Sequence, residues 1–201
     1  MADDYTAKML ELASRRKQML DDGESLLKTK RIELGIEQYF DIFVLTDPEV
    51  RERAKAVLAK YLDHLLVERN FYMEYHRTFL EESTEIAQIL TTAERERLWP
   101  RTATGLEDNN KIRIRINEIK VLTAAQLQQL IAIYDLNTVT VSNDGDYIGL
   151  ESDEDIEKVQ RIFDEIDDLD KEGLALVKLQ KKRSVDGRNF MARFLTMLRD
   201  L

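Results

Sequence analysis

Hydrophobic residues recur with a helical period through the first half of the chain. The clearest case follows Pro48, where eight apolar residues repeat at helical intervals: Val50, Ala54, Val57, Leu58, Tyr61, Leu62, Leu65 and Leu66. This spacing predicts one apolar stripe along an amphipathic helix. The preceding Thr46-Asp47-Pro48-Glu49 predicts where that helix begins, with Thr46 as the capping residue. Several such helices predict an α-helical bundle over residues 1–100, with Pro100 ending its last helix.

The hydrophobic period changes after a polar stretch at residues 101–110, which we predict to be a linker. In residues 111–116 isoleucines alternate with basic residues, a pattern that predicts a half-buried strand. Thr123 is predicted to cap a following helix.

Two further strands are predicted at residues 137–141 and 147–150, flanking a turn with the sequence SNDGD. Ser152 is predicted to cap an acidic helix, after which residues 174–179 (LALVKL) resemble a strand. Residues 111–183 are therefore expected to form a small α+β domain with the order β-α-β-β-α, and residues 184–201 an amphipathic C-terminal helix. The expected fold class is mainly α, with this small α+β part.

Composition narrows the function classes. The chain has 201 residues, a formal net charge of −9 and no cysteine, which excludes disulfides, a cysteine nucleophile and thiolate metal sites. No apolar run reaches the ~18 residues of a membrane span. The N-terminus carries acids where a secretory signal carries bases. We therefore expect a cytoplasmic protein without a membrane span.

The negative charge is concentrated in one segment. Residues 144–172 hold thirteen acids and three bases, whereas residues 173–201 hold seven bases and two acids. Because electrostatic fields are screened beyond about 8–10 Å at physiological salt, local charge predicts partners better than the total does.

Basic side chains form the first candidate binding surface. The alternation predicts that Lys111, Arg113 and Arg115 share one face of the strand, to which Lys181, Lys182 and Arg183 could add. Two interpretations remain open. These bases contact the phosphates of a nucleic acid, or they neutralise the acidic helix after Ser152 within the same domain.

The acidic helix supplies a second candidate surface, which either docks a basic partner or imitates the phosphates of DNA. Its acids are Asp153, Glu154, Asp155, Glu157, Asp164, Glu165, Asp167 and Asp168. The last helix is apolar on a broad face and either packs on the bundle or binds a partner. The residues of that face are Phe190, Met191, Phe194 and Leu198.

Catalytic and metal-binding motifs receive little support. His64 and His76 lack the paired Glu-x-x-His spacing of a di-iron bundle. Residues 140–151 match an EF-hand loop at Gly145 and Glu151, but Thr140 and Ser142 stand where carboxylates should, and a strand precedes them. We predict no catalytic, cofactor-binding or metal-ligating residue.

The stretch NTVTVSNDGDYIGLESDEDIEKVQRIFDEIDD, followed further on by LQKKR, is similar in pattern to the C-terminal part of the soluble DNA-binding subunit of the Kiwa anti-phage system. The resemblance covers residues 120–183. It implies a hairpin with an Asp-Gly turn, a capped helix, a closing basic strand, and a bacterial defence protein that binds DNA or a phage protein.

The sequence thus favours a non-catalytic adaptor or assembly subunit that docks a macromolecular partner and is able to form a homodimer. One alternative is a nucleic-acid-binding subunit of a defence complex using residues 111–115 and 181–183. Another is an acidic inhibitor that mimics DNA through residues 144–172.

Overall fold

The computed structural model describes the backbone of residues 2–142 and 148–199, and the side chains of those residues except 2, 3, 98, 101 and 184–199. Four long helices dominate it: α1 (Ala2–Leu34), α2 (Pro48–Ala87), α3 (Thr92–Leu136) and α4 (Asp153–Arg199). Two 3₁₀ turns, Ile36–Tyr39 and Val44–Thr46, connect α1 to α2. A small antiparallel sheet of β1 (Thr140–Val141) and β2 (Ile148–Gly149) lies between α3 and α4. The predicted class, mainly α with a small α+β part, is confirmed.

Contacts divide the chain into two compact units, to which each long helix contributes residues. Unit 1 comprises residues 1–25, 69–116 and 174–201, and unit 2 comprises residues 26–68 and 117–173. The units are therefore assembled from separated segments and do not follow the predicted boundaries at residues 100, 110 and 183.

The core of unit 2 is built on α2. Its buried positions from Arg51 to Glu68 recur in alternating steps of three and four residues, the spacing that keeps one stripe of a helix against its neighbours. Residues of α3, α4 and the 3₁₀ turns complete this core. Its most deeply buried residues are Ile36, Leu45, Ala54, Leu58, Leu65, Ala124, Leu130 and Tyr134. The amphipathic helix predicted after Pro48 is confirmed, although Leu66 is exposed.

Unit 1 has a smaller core. Its buried residues come from the start of α1 and the region where α2 ends: Tyr5, Met9, Leu12, Ala87 and Leu90. Phe79, Ile86 and Trp99 pack against them.

Side chains and one glycine mark the helix ends. The α2 cap is Asp47, whose Oδ1 accepts a hydrogen bond from the backbone N–H of Glu49 at 2.8 Å, so the prediction of Thr46 is wrong by one residue.

Thr91 and Glu94 form a capping box at the start of α3. Ser152 caps α4 as predicted, its Oγ lying 3.4 Å from the Asp155 nitrogen. Gly35 ends α1 with φ of 63°.

The strand predicted at residues 111–116 is wrong, because these residues lie inside α3. No residue from 112 to 121 is exposed, so this part of α3 has no face open to solvent. Its hydrophobic residues therefore do not show the helical period of a surface helix. Residues 101–110, predicted as a linker, are also helical, and neither Pro100 nor Thr123 interrupts α3. Proline removes one intrahelical hydrogen bond, a local cost that the long flanking helical segments tolerate here.

The closing strand predicted at residues 174–179 is likewise helical, within α4. The hairpin is confirmed: Thr140 pairs with Gly149 and Val141 with Ile148. Its predicted turn spans residues 142–146, of which residues 143–146 lie outside the described residues. In the described part of the chain, none of the helices combines the length and apolar character needed to cross a membrane.

Candidate functional site

The apolar stripe of α4 determines which way the acidic residues of this helix face. Val159 and Ile162 are buried in the core of unit 2, and Phe163 and Ile166 pack against it. At 3.6 residues per turn, seven of the eight predicted acids fall within an arc of about 160° on the opposite side of the helix. We call these seven residues the acidic face: Asp153, Glu154, Glu157, Asp164, Glu165, Asp167 and Asp168.

All seven residues of the acidic face are exposed. The side chain of Asp168 is 81% accessible and that of Glu154 is 76% accessible. The eighth predicted acid, Asp155, lies on the inward side and is half-buried, so it does not belong to this surface.

Asp155 has a structural role at the start of α4. Its carboxylate accepts a hydrogen bond from Asn137 Nδ2 at 3.1 Å and contacts Lys158 Nζ at 2.9 Å. The Lys158 ammonium, followed by the Asn137 amide, holds the pKa of Asp155 below its usual value. Asp155 thereby fastens the end of α3 to the first turn of α4.

Local bases neutralise the acidic face only in part. Between residues 153 and 172 there are ten acids and three bases. Lys158 lies 2.9 Å from Glu154, and Lys171 lies 2.5 Å from Asp167 and 3.5 Å from Asp168. Such exposed pairs contribute little to stability, so a partner displaces them at small cost.

The predicted basic row at residues 111–115 is not assembled. In a helix Arg113 points about 200° away from Lys111 around the axis. Lys111 is exposed and contacts Glu107 at 3.0 Å. Arg113 is only 19% accessible, lies 3.7 Å from a Glu24 oxygen, and has its guanidinium 6.0 Å from the centre of the Tyr72 ring. Arg115 is half-buried.

The second basic cluster is on α4 in unit 1. Lys181 and Lys182 are exposed, whereas the half-buried Arg183 contacts Asp108 at 3.3 Å. The acids contacting Lys111, Arg113 and Arg183 are Glu107, Glu24 and Asp108, which belong to α1 and α3 of unit 1. The interpretation that these three bases neutralise the acidic helix is therefore wrong.

The predicted apolar face of the last helix cannot be placed. The backbone is helical as far as Arg199, but Phe190, Met191, Phe194 and Leu198 lie outside the described side chains. Their role in packing or in partner binding stays a prediction.

Two surface depressions in unit 2 are lined by charged side chains that form ion pairs with each other. One, of about 230 Å³, contains Lys55 and Asp135, whose charged atoms lie 2.6 Å apart. The other, of about 250 Å³, contains Arg31 and Glu37 at 3.4 Å. Both are smaller than the ~300–1,000 Å³ typical of ligand pockets.

Among the described residues, no group of three or more His, Cys, Asp or Glu is placed to hold a metal ion.

Sequence reasoning missed three buried charged residues. Arg16 is bound by Glu82, Arg51 by Asp135, and Glu68 by Lys120. A signal for all three was present, since each charged residue occupies a position in the apolar stripe of its own helix. A charge in a buried stripe requires a partner from a neighbouring element.

Comparison with known proteins adds no relative. No protein-family model, curated protein or solved structure matches the chain.

Proposed function

We propose that this protein is a non-catalytic interaction subunit that docks a positively charged protein partner through the acidic face of α4. The observation that carries the proposal is the placement of seven exposed carboxylates on one side of a helix whose opposite side is buried in the core of unit 2. The charges are therefore presented on a rigid element.

Charge complementarity suits such a surface to recognition. A patch of one sign accelerates encounter with a partner of the opposite sign and disfavours partners of the same sign. Because the carboxylates remain hydrated in the free protein, their contribution is to association rate and specificity, and adjacent contacts contribute the remaining affinity.

Charge reversal tests this proposal. The triple variant Glu157→Lys, Asp164→Lys, Asp168→Lys inverts the centre of the acidic face. Its matched control is Asp63→Lys, Glu85→Lys, Glu96→Lys, which changes the net charge equally at exposed acids on α2 and α3. Photo-crosslinking from residue 160 in cells, followed by mass spectrometry, identifies the partner and the peptide contacted.

The proposal expects crosslinks to a Lys/Arg-rich segment in the wild type and in the control, and their loss in the face variant. Binding of the purified pair should also weaken by at least tenfold between 50 and 300 mM salt. Equal capture by the two triple variants, or a contacted segment without basic residues, would contradict it.

The nucleic-acid alternative is supported by one described feature, the exposed neighbours Lys181 and Lys182. Fluorescence anisotropy with a 20-base-pair duplex and a 20-nucleotide single strand tests it. Binding that is lost in Lys181→Glu/Lys182→Glu but kept in Glu157→Lys would favour the alternative over protein docking.

The inhibitor alternative predicts a partner that itself binds DNA, so duplex DNA should compete with this protein for that partner.

We also propose that the protein docks its partner in the cytoplasm and acts in anti-phage defence. Deletion of the gene in its native host should then increase phage plating efficiency. Re-expression of the variant with Glu157→Lys, Asp164→Lys and Asp168→Lys should not restore resistance.

A further inference from the structure

The last part of α1 is only partly buried in unit 2. In residues 26–34 no side chain is fully buried, and the half-buried ones are Leu27, Arg31 and Leu34, which lie on one side of the helix. Arg31 Nε is shielded from solvent but makes no hydrogen bond. This segment is therefore the part of α1 that a small change in unit 2 would release most easily.

His64 of α2 contributes a second unsatisfied atom to this region. Its Nε2 is buried without a hydrogen-bond partner, and its ring stacks near Tyr61 with the centroids 6.5 Å apart. Burial is the main factor that lowers the pKa of His64, with the Leu27 carbonyl of α1 making a small opposing contribution.

The charged groups around His64 come from three helices. Arg31 of α1 and Lys120 of α3 disfavour a positive charge on the imidazole, and Glu68 of α2 favours it. Glu68 is itself buried and bound to Lys120 at 2.5 Å, and the adjacent Asn117 donates to the Leu65 carbonyl at 3.0 Å. A protonated His64 thus adds a cation beside two others that already have carboxylate partners, Glu68 for Lys120 and Glu37 for Arg31.

We propose that His64 is a pH-sensitive element whose protonation loosens the packing of residues 26–34 of α1 on α2 within unit 2. The neutral imidazole is tolerated in this half-buried position. The imidazolium is repelled by Arg31, and it competes with Lys120 for Glu68.

The sign follows from linkage. With its pKa lowered in the folded state, His64 binds a proton more readily when the segment is open. The packed arrangement is therefore most stable above about pH 6.5 and loses stability as the pH falls towards the lowered pKa. The opening equilibrium should rise by up to about tenfold for each unit by which the pKa is lowered.

Amide hydrogen exchange of the full-length protein at pH 7.5 and pH 5.5, corrected for intrinsic rates, tests the proposal. Residues 26–34 should open more at pH 5.5 than at pH 7.5 in the wild type, by at most about tenfold. His64→Gln, which stays neutral, should remove this response. His76→Gln is the matched control, because His76 also has a pKa lowered by burial but lies in unit 1.

An equal response in the wild type and His64→Gln, or a response abolished by His76→Gln instead, would overturn the proposal. An NMR titration of the His64 ring protons provides a test that does not depend on folding of the variant. A His64 pKa at or above 6.5 would also overturn it, whereas a lower value that rises in Arg31→Gln would support it.

Discussion

Arg51 at the start of α2 binds Asp135 at the end of α3, with Nε 2.9 Å from Oδ1. Its Nη1 donates to the carbonyls of Leu45 and Thr46 at 3.0 and 2.8 Å, and its side chain is only 7% accessible. One buried guanidinium thus joins the turn before α2, the first turn of α2 and the C-terminal end of α3.

Replacing Arg51 should therefore be costly. Arg51→Met leaves the Leu45 and Thr46 carbonyls without this donor and Asp135 with Lys55 alone, and we expect a loss of about 2–3 kcal/mol in the free energy of unfolding. Urea denaturation followed by circular dichroism measures it. Lys55→Met is the control: Lys55 contacts the same Asp135 but is 41% accessible, so its loss should cost clearly less than that of Arg51. Equal losses would contradict the assignment.

Gly23 allows a close approach between α1 and α2 in unit 1. A Cβ at this position would lie 2.2 Å from the Phe71 ring, so Gly23→Ala should destabilise the protein by about 1–3 kcal/mol despite the better helix propensity of alanine. Gly105→Ala provides the opposite case, since nothing lies within 4 Å and the expected gain is about 0.5–1 kcal/mol. Thermal unfolding should show shifts of opposite sign, and shifts of the same sign would refute this account.

The neighbours Thr46 and Asp47 should contribute differently to stability, because Asp47 is the residue that caps α2. Asp47→Ala removes the acceptor for the N–H groups of Glu49 and Val50 and should cost about 1 kcal/mol. The Thr46 hydroxyl instead donates to the Phe43 carbonyl at 2.7 Å, on the surface, so Thr46→Ala should cost about half as much or less. A larger loss for Thr46→Ala in urea denaturation would restore the capping role predicted from the sequence.

Acid should weaken the contact between α1 and α2 in unit 1. The buried Arg16 guanidinium binds both carboxylate oxygens of Glu82, with Nε 2.9 Å from Oε2 and Nη2 2.6 Å from Oε1. It holds the pKa of Glu82 below its usual value. The stability that this pair contributes is present above about pH 4.5 and is lost as the pH falls through the lowered pKa. Urea midpoints measured from pH 6 to pH 3 should fall less steeply for Glu82→Gln than for the wild type. Parallel curves would show that the pair is not linked to protonation.

Part of the fold could be predicted from local patterns. The stripe of α2, the hairpin at residues 140–149 and the capped start of α4 each depend on neighbouring residues along the chain, and each is confirmed. The exposure of the acidic face also follows from the chain itself, because the apolar stripe of α4 fixes which side is buried.

Other features depended on residues distant in sequence. The alternation in residues 111–116 predicts a strand only if one face meets solvent, whereas packing encloses residues 112–121 of α3 sufficiently that none is exposed. The helical neighbours on both sides then determine the conformation, because a long helix already satisfies its own backbone hydrogen bonds.

The sequence by itself determined the helical class, the acidic surface of α4 and the hairpin, since short-range periodicity and capping chemistry control these. The tertiary structure alone decided which charges are buried and which partners they have. Arg113 shows this most directly: it was expected beside Lys111 on an open surface, but it lies between Glu24 and the Tyr72 ring in unit 1. A buried charge requires a partner, and folding brings that partner from a distant part of the chain.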